Sequence, residues 1–322
     1  MSFGQILFAI GLPAMVGAIL IVPAWLVPRI RRLSGLTGSA LGVALGMALV
    51  VAFMAEAGIP SLPPDQKWHM LPILTCGIVI LCPVVAIVDG SGEMGRWLIS
   101  IASGGIIGWF AVFPGLDLLG QILLGVWVGI SFMVISWVSH RRRGVTVTLS
   151  ITLVFAALSI LCMQAHFITL TLIAGALSAT SGIGFVTAFI SERWGPEVPV
   201  GSPVFPEDES ELPSRSLAIG WGGAFAVASI IPLVAFCGWA YNVGDVTWLH
   251  WGLVAGAPLM LGIGELPGLH HREGFWWFLV RVGLVALPIV LALTLFFTGA
   301  GLGADSDTGG DGIDYMHYMD QS

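Results

Sequence analysis

The sequence predicts an all-α, polytopic integral membrane protein: a bundle of about ten transmembrane helices. Three observations carry that expectation. The 322-residue chain is 57% hydrophobic and only 10% charged, with a mean hydropathy of +0.95. A water-facing surface needs about 25% charged residues. Apolar runs of about twenty residues, the length that spans a bilayer core, recur throughout. When ten spans are threaded alternately, eleven of the twelve basic residues fall on one face and only Lys67 on the other. Arginine and lysine are retained on the cytoplasmic side. Both termini are therefore expected outside a bacterial cytoplasmic (inner) membrane. One lysine against eleven arginines points to a GC-rich bacterial genome.

The expected spans are 3–28, 37–57, 70–88, 97–114, 118–139, 145–164, 167–190, 216–240, 247–265 and 276–300. The first lacks a charged n-region and a small-residue cleavage site, and three arginines follow it, so it reads as a retained helix. The second holds Gly38, Gly42 and Gly46 four apart, a smooth stripe for close helix approach within the chain or for self-association. Ser100, Gly104 and Gly108 repeat the pattern in the fourth, and Gly125 and Gly129 in the fifth. The sixth opens "VTVTLSITL". Its alternation is strand-like, but a lone strand in lipid would leave its backbone unpaired, so helix is expected.

Helices six and seven form the most hydroxyl-rich hairpin. Thr146, Ser150, Ser178 and Ser181 are candidates for a polar solute path, against ordinary hydrogen bonding between helices, which is the favoured reading. The segment 191–215 has five prolines, six acidic residues and two arginines. Such a stretch cannot bury enough apolar surface to fold alone. It divides a seven-helix membrane domain (1–190) from a three-helix one (216–300) and is a candidate docking site for a protein partner. The Gly- and Asp-rich tail 301–322 is expected to be disordered outside. A 180-residue shift pairs helices 2–4 with helices 8–10, including Trp68/Trp248, Glu93/Glu273 and Trp97/Trp277. This would be a parallel repeat, although Gly and Ala matches are cheap in such a chain.

Charge placement limits the chemistry. Every charged residue falls in a loop or within a few residues of a helix end, so no midplane proton relay is indicated. Arg281 is expected to snorkel to the surface past the belt Phe275, Trp276, Trp277 and Phe278. The remaining candidates form an inner-face polar cluster from two hairpins: Asp89, Glu93 and Arg96 in one, Glu265, His270, His271, Arg272 and Glu273 in the other. "GIGE" is similar to the GxGD motif of membrane-embedded aspartyl proteases, with Asp89 as second acid. The motif acid is Glu265 rather than Asp, and a short glycine motif is weak evidence. Adjacent histidines diverge on a helix and chelate poorly.

On the other face His69, His166, His250 and His317 lie near Met70, Met163, Met316 and Met319, and "YMHYMD" offers soft ligands of the kind copper takes, at no specific spacing. The four cysteines form no CxxC pair and read as core residues. No metal, cofactor, catalytic residue or nucleic-acid partner is assigned. Two functions follow. The first is a permease-like protein for a neutral or lipid-like substrate. The alternative is a non-catalytic membrane subunit or scaffold that docks partners through its linker.

Overall fold

A computed structural model describes residues 3–27, 34–60, 64, 66–89, 91–111, 113, 117–141, 144–194, 219–244, 246–266 and 274–299. They form ten α-helices: α1 (Phe3–Leu26), α2 (Ser34–Ala57), α3 (Met70–Ile87), α4 (Gly92–Phe110), α5 (Leu118–Arg141), α6 (Gly144–Gln164), α7 (Ile168–Trp194), α8 (Gly220–Ala240), α9 (Trp248–Gly256) and α10 (Phe275–Phe297). Two 3-10 helices, Lys67–His69 and Ala257–Glu265, precede α3 and follow α9. No strand occurs among the described residues. The all-α membrane bundle expected from composition is what forms. Among the described residues, eight helices are long and apolar enough to cross a membrane; the two that fall short are α4 and α9.

The bundle is built around α8, which packs against α2, α3 and α5. Glycine makes this possible. A Cβ on Gly220 would lie 2.6 Å from Gly38 Cα, and one on Gly42 would lie 2.8 Å from the Gly222 carbonyl oxygen. Without side chains between them the backbones touch, the contact that drives helix association in lipid. Gly220 also takes φ +66°, which suits glycine. Gly38, Gly42 and Gly46 are all buried. The close approach expected of the stripe is made inside the chain, and the self-association expected of it finds no free surface there. Around this seam, α6 and α7 pair as a hairpin, and α1 lies on α2 and α7. The pair α9–α10, with its 3-10 segment, packs on α5 and α6. The peripheral α4 packs on α5 and little else.

Two elements depart from expectation. Helix α4 begins at Gly92, not 97, so Glu93 and Arg96 stand in its first two turns rather than in a loop. A carboxylate in a first turn is favoured by the helix dipole. Span nine is not one α-helix: it turns from α to 3-10 at Ala257. Pro258 has no N–H to give to the Val254 carbonyl, and the Ala257 N–H bonds that carbonyl instead. The tighter winding continues for nine residues to Glu265. Nine α residues at about 1.5 Å and nine 3-10 residues at about 2.0 Å reach about 32 Å. That length matches a hydrocarbon core of about 30 Å, where eighteen α residues would reach about 27 Å. The break also weakens the repeat. Helix α3 packs closely on α2, whereas the segment paired with it by sequence packs mainly on α10 and α5.

One end of the bundle carries Asp89, Arg96, Arg141, Arg193, Glu265 and Arg281, and is called the arginine end. The other carries His69, His166, Tyr241 and His250, and is called the histidine end. Residues 195–215 of the acidic linker, the hinge residues His270, His271, Arg272 and Glu273, His317 and the tail 301–322 lie outside the described residues.

Candidate functional site

At the arginine end, Asp89 follows α3 and sits at the start of α8. Its Oδ2 accepts the Trp221 backbone N–H at 3.2 Å. A carboxylate there caps an N–H that the helix leaves unpaired and meets the positive end of its dipole. The Trp221 ring is 1% exposed. It takes the Arg96 guanidinium over its face at 5.6 Å and the Phe132 ring edge-on at 6.4 Å. Glu93 is exposed on the first turn of α4. Of the first candidate hairpin, then, Asp89 and Arg96 are brought together at Trp221, and Glu93 is left in solvent. Arginine–indole stacking recurs at this end, with Arg141 over Trp137 at 4.9 Å and Arg193 over Trp194 at 5.8 Å.

Arg281 is different. It is 7% exposed and Glu265 is 2% exposed, and Arg281 Nε lies 3.8 Å from Glu265 Oε1. The expectation that Arg281 snorkels to the surface is therefore corrected. It stays inside because Glu265, at the end of the 3-10 segment, meets it with opposite charge. A charge inside a membrane bundle is sustained by a partner. Gly264 makes the room, since a Cβ there would press on the Arg281 Cγ at 3.2 Å. The second glycine of "GIGE" thus serves an arginine stem. The proteolytic likeness loses its ground here too: Glu265 is engaged by Arg281 and Asp89 by α8, whereas an aspartyl dyad needs two carboxylates sharing one proton. Helix α5 packs against the helices of both groups.

Most hydroxyls of α6 and α7 donate to backbone carbonyls, whereas the buried Thr180 Oγ1 has no partner among the described residues. Ser150 donates to the Thr146 carbonyl at 2.8 Å and Ser181 to the Leu177 carbonyl at 2.9 Å. Ser178 reaches across to the Thr152 carbonyl at 3.1 Å. Thr146 is buried with them. This is the hydrogen bonding by which buried hydroxyls are satisfied within and between helices.

The histidine end is closed by rings. Trp68 meets Phe53 at a tilt and His69 and Phe167 edge-on, at 4.8, 4.6 and 5.6 Å between ring centroids. The Trp68 backbone N–H donates to the Tyr241 hydroxyl at 3.1 Å. Burial, helped by Cys237, pushes the Tyr241 phenol up to about 12, so it stays neutral. His166 takes φ +60° and ends α6, where the Phe167 N–H returns to the Cys162 carbonyl at 3.0 Å. His250 caps α9 by accepting the Thr247 N–H on Nδ1 at 3.1 Å. His69 packs among rings, His166 ends a helix and His250 caps one, while His69 Nδ1 and His250 Nε2 are buried without a hydrogen-bond partner; among the described residues no group of three or more His, Cys, Asp or Glu could hold a metal ion.

Two sequence patterns signal features of the arginine end. In "FWWFLVR" the arginine lies beyond the aromatic belt, inside an apolar helix, and needs a buried partner. In "GAP" at 256–258 the proline marks the helix break. No protein-family model matches this chain, and no curated protein or solved structure matches it either.

Proposed function

We propose that this multi-pass membrane protein is permease-like and carries a neutral or lipid-like substrate along the seam where the segment Ala257–Glu265 meets α5, α6 and α10. The observation that carries the reading is the change from α to 3-10 winding within span nine, just ahead of the buried Glu265–Arg281 pair. A long 3-10 stretch inside a helix often marks a hinge. An ionisable pair inside a membrane bundle is expensive and marks function by default. Glu265 and Arg281 cancel each other, so the seam offers no net charge to an ionic substrate. The proposal includes the orientation read from arginine placement: a bacterial cytoplasmic membrane, with both termini outside and the arginine end facing the cytoplasm.

The test is transport by the full chain in proteoliposomes, with labelled glycerol, a labelled disaccharide and a fluorescent phosphatidylcholine as probes. The wild type is expected to move at least one of them. Pro258→Ala restores the missing N–H and favours continuous α winding. It is expected to raise the melting temperature while slowing transport at least tenfold. A wild type that moves none of the probes, and whose melting temperature none of them shifts, overturns the reading.

A further inference from the structure

We propose that the α4–α5 hairpin binds an anionic phospholipid, with the phosphate on Arg96 and an acyl chain in the groove between the two helices. This inference does not depend on the permease reading. The groove encloses about 390 Å³ and is lined by Ile101, Gly105, Trp109, Ile122, Val126 and Ile130 among others. Small-molecule sites occupy about 300–1,000 Å³. The floor exists because the two backbones touch: a Cβ on Gly125 would lie 2.6 Å from the Gly104 carbonyl oxygen. The large side chains on either side then stand apart as walls. Among the described residues nothing covers them. Ile101 and Trp109 are each 69% exposed, and α4 packs on α5 and little else.

At the arginine end of the groove a guanidinium nitrogen lacks a hydrogen-bond acceptor. Ser100 closes the floor by donating to the Gly129 carbonyl at 2.8 Å, and Arg96 stands one turn beyond it on the same helix. Arg96 is half-buried over the Trp221 ring, and its Nε is buried with no acceptor. Among the described residues no carboxylate takes it: Glu93 is exposed one turn earlier, and Asp89 serves the start of α8. A buried guanidinium nitrogen without an acceptor, on a side chain set partly over an indole face, favours an anion, and its planar fork matches a phosphate. By contrast, the guanidiniums of Arg141 and Arg193 belong to exposed residues, where water satisfies them. A phosphate that arrives attached to an apolar chain, at the end of an apolar groove, belongs to a phospholipid. A net-anionic headgroup is expected because a zwitterionic one offsets the arginine only in part.

The experiment is native mass spectrometry of the full chain in nonionic detergent, titrated with phosphatidylglycerol or phosphatidylcholine of the same acyl chains. One phosphatidylglycerol adduct is expected, with a Kd at least tenfold lower than for phosphatidylcholine. Arg96→Gln should erase that preference. Gly105→Leu should weaken phosphatidylglycerol at least tenfold, whereas Gly77→Leu on α3 should leave it unchanged. A Cβ at Gly105 or Gly77 meets nothing within 4 Å, so both variants are compatible with the fold. Equal binding of both lipids, untouched by Arg96→Gln and Gly105→Leu, would mean annular lipid only and would overturn the proposal. So would a dimer mass that Gly105→Leu abolishes, since a second copy of the chain would then fill the groove.

Discussion

Asp89 and Glu265 stand at the same end of the bundle and are held in different ways. Asp89 is half-buried and leans on a backbone N–H at the start of α8. Glu265 is almost fully buried and faces the guanidinium of Arg281. Where water still reaches a carboxylate, the partial charge of a helix end helps to orient it. Where water does not reach, only a full opposite charge offsets the loss of hydration. The difference teaches that the chain places charge by depth. Shallow charges are matched by dipoles and indole faces, and the deep one is matched by a counter-charge.

The largest effect is expected from removing one member of the deep pair. Glu265→Ala leaves Arg281 buried without its carboxylate and should cost about 3–5 kcal/mol. Urea or thermal unfolding in detergent would measure it. The double variant Glu265→Leu/Arg281→Met should recover most of the loss, because well-packed apolar replacements of a buried pair are often neutral or better. If Glu265→Ala costs under about 1 kcal/mol, the value of an exposed pair, the contrast with Asp89 collapses. Asp89→Ala should cost less, about 0.5–2 kcal/mol, the range for losing a cap at a helix start. Asp89→Asn should recover part of that loss, since an amide oxygen can still accept the Trp221 N–H. A loss at Asp89 as large as that at Glu265 would mean that Asp89, too, balances a buried charge.

Much of this arrangement is legible in the sequence. Ten helical segments follow from the apolar runs, and the stripe of Gly38, Gly42 and Gly46 announces a close helix contact. What the stripe cannot announce is its partner. Gly220 and Gly222 lie about 180 positions away in the chain, and backbone contact leaves no compositional trace except small residues on both sides. The site is less legible. Hydropathy treats Arg281 as one unfavourable residue in a favourable window, and the usual resolution is snorkelling. Whether an arginine snorkels or pairs depends on what the neighbouring helix offers at its depth. Here that is Glu265, brought to the right height by a 3-10 segment longer per residue than an α-helix. Pro258 signals the break but not its nine-residue length.

The neutral hydroxyls supply the lower bound of the same scale. Ser178 is the one member of the candidate path whose observed bond crosses between helices, to the Thr152 carbonyl. That carbonyl lies within α6, where the helix ladder already offers it a donor, so losing Ser178 leaves no orphaned acceptor. Ser178→Ala should therefore cost about 0.6 kcal/mol, the mean for polar contacts between membrane helices. Ser181→Ala, which removes only bonds within its own helix, should cost less again. Both are read by the same unfolding measurement as Asp89→Ala and Glu265→Ala. An ordered series, from buried charge through capping charge to hydroxyl, would fix depth and charge together as what sets the cost. A Ser178→Ala loss above that of Asp89→Ala would break the series. It would return Thr146, Ser150, Ser178 and Ser181 to consideration as a polar lining, because a hydroxyl that serves only packing has no means of costing more than a helix cap.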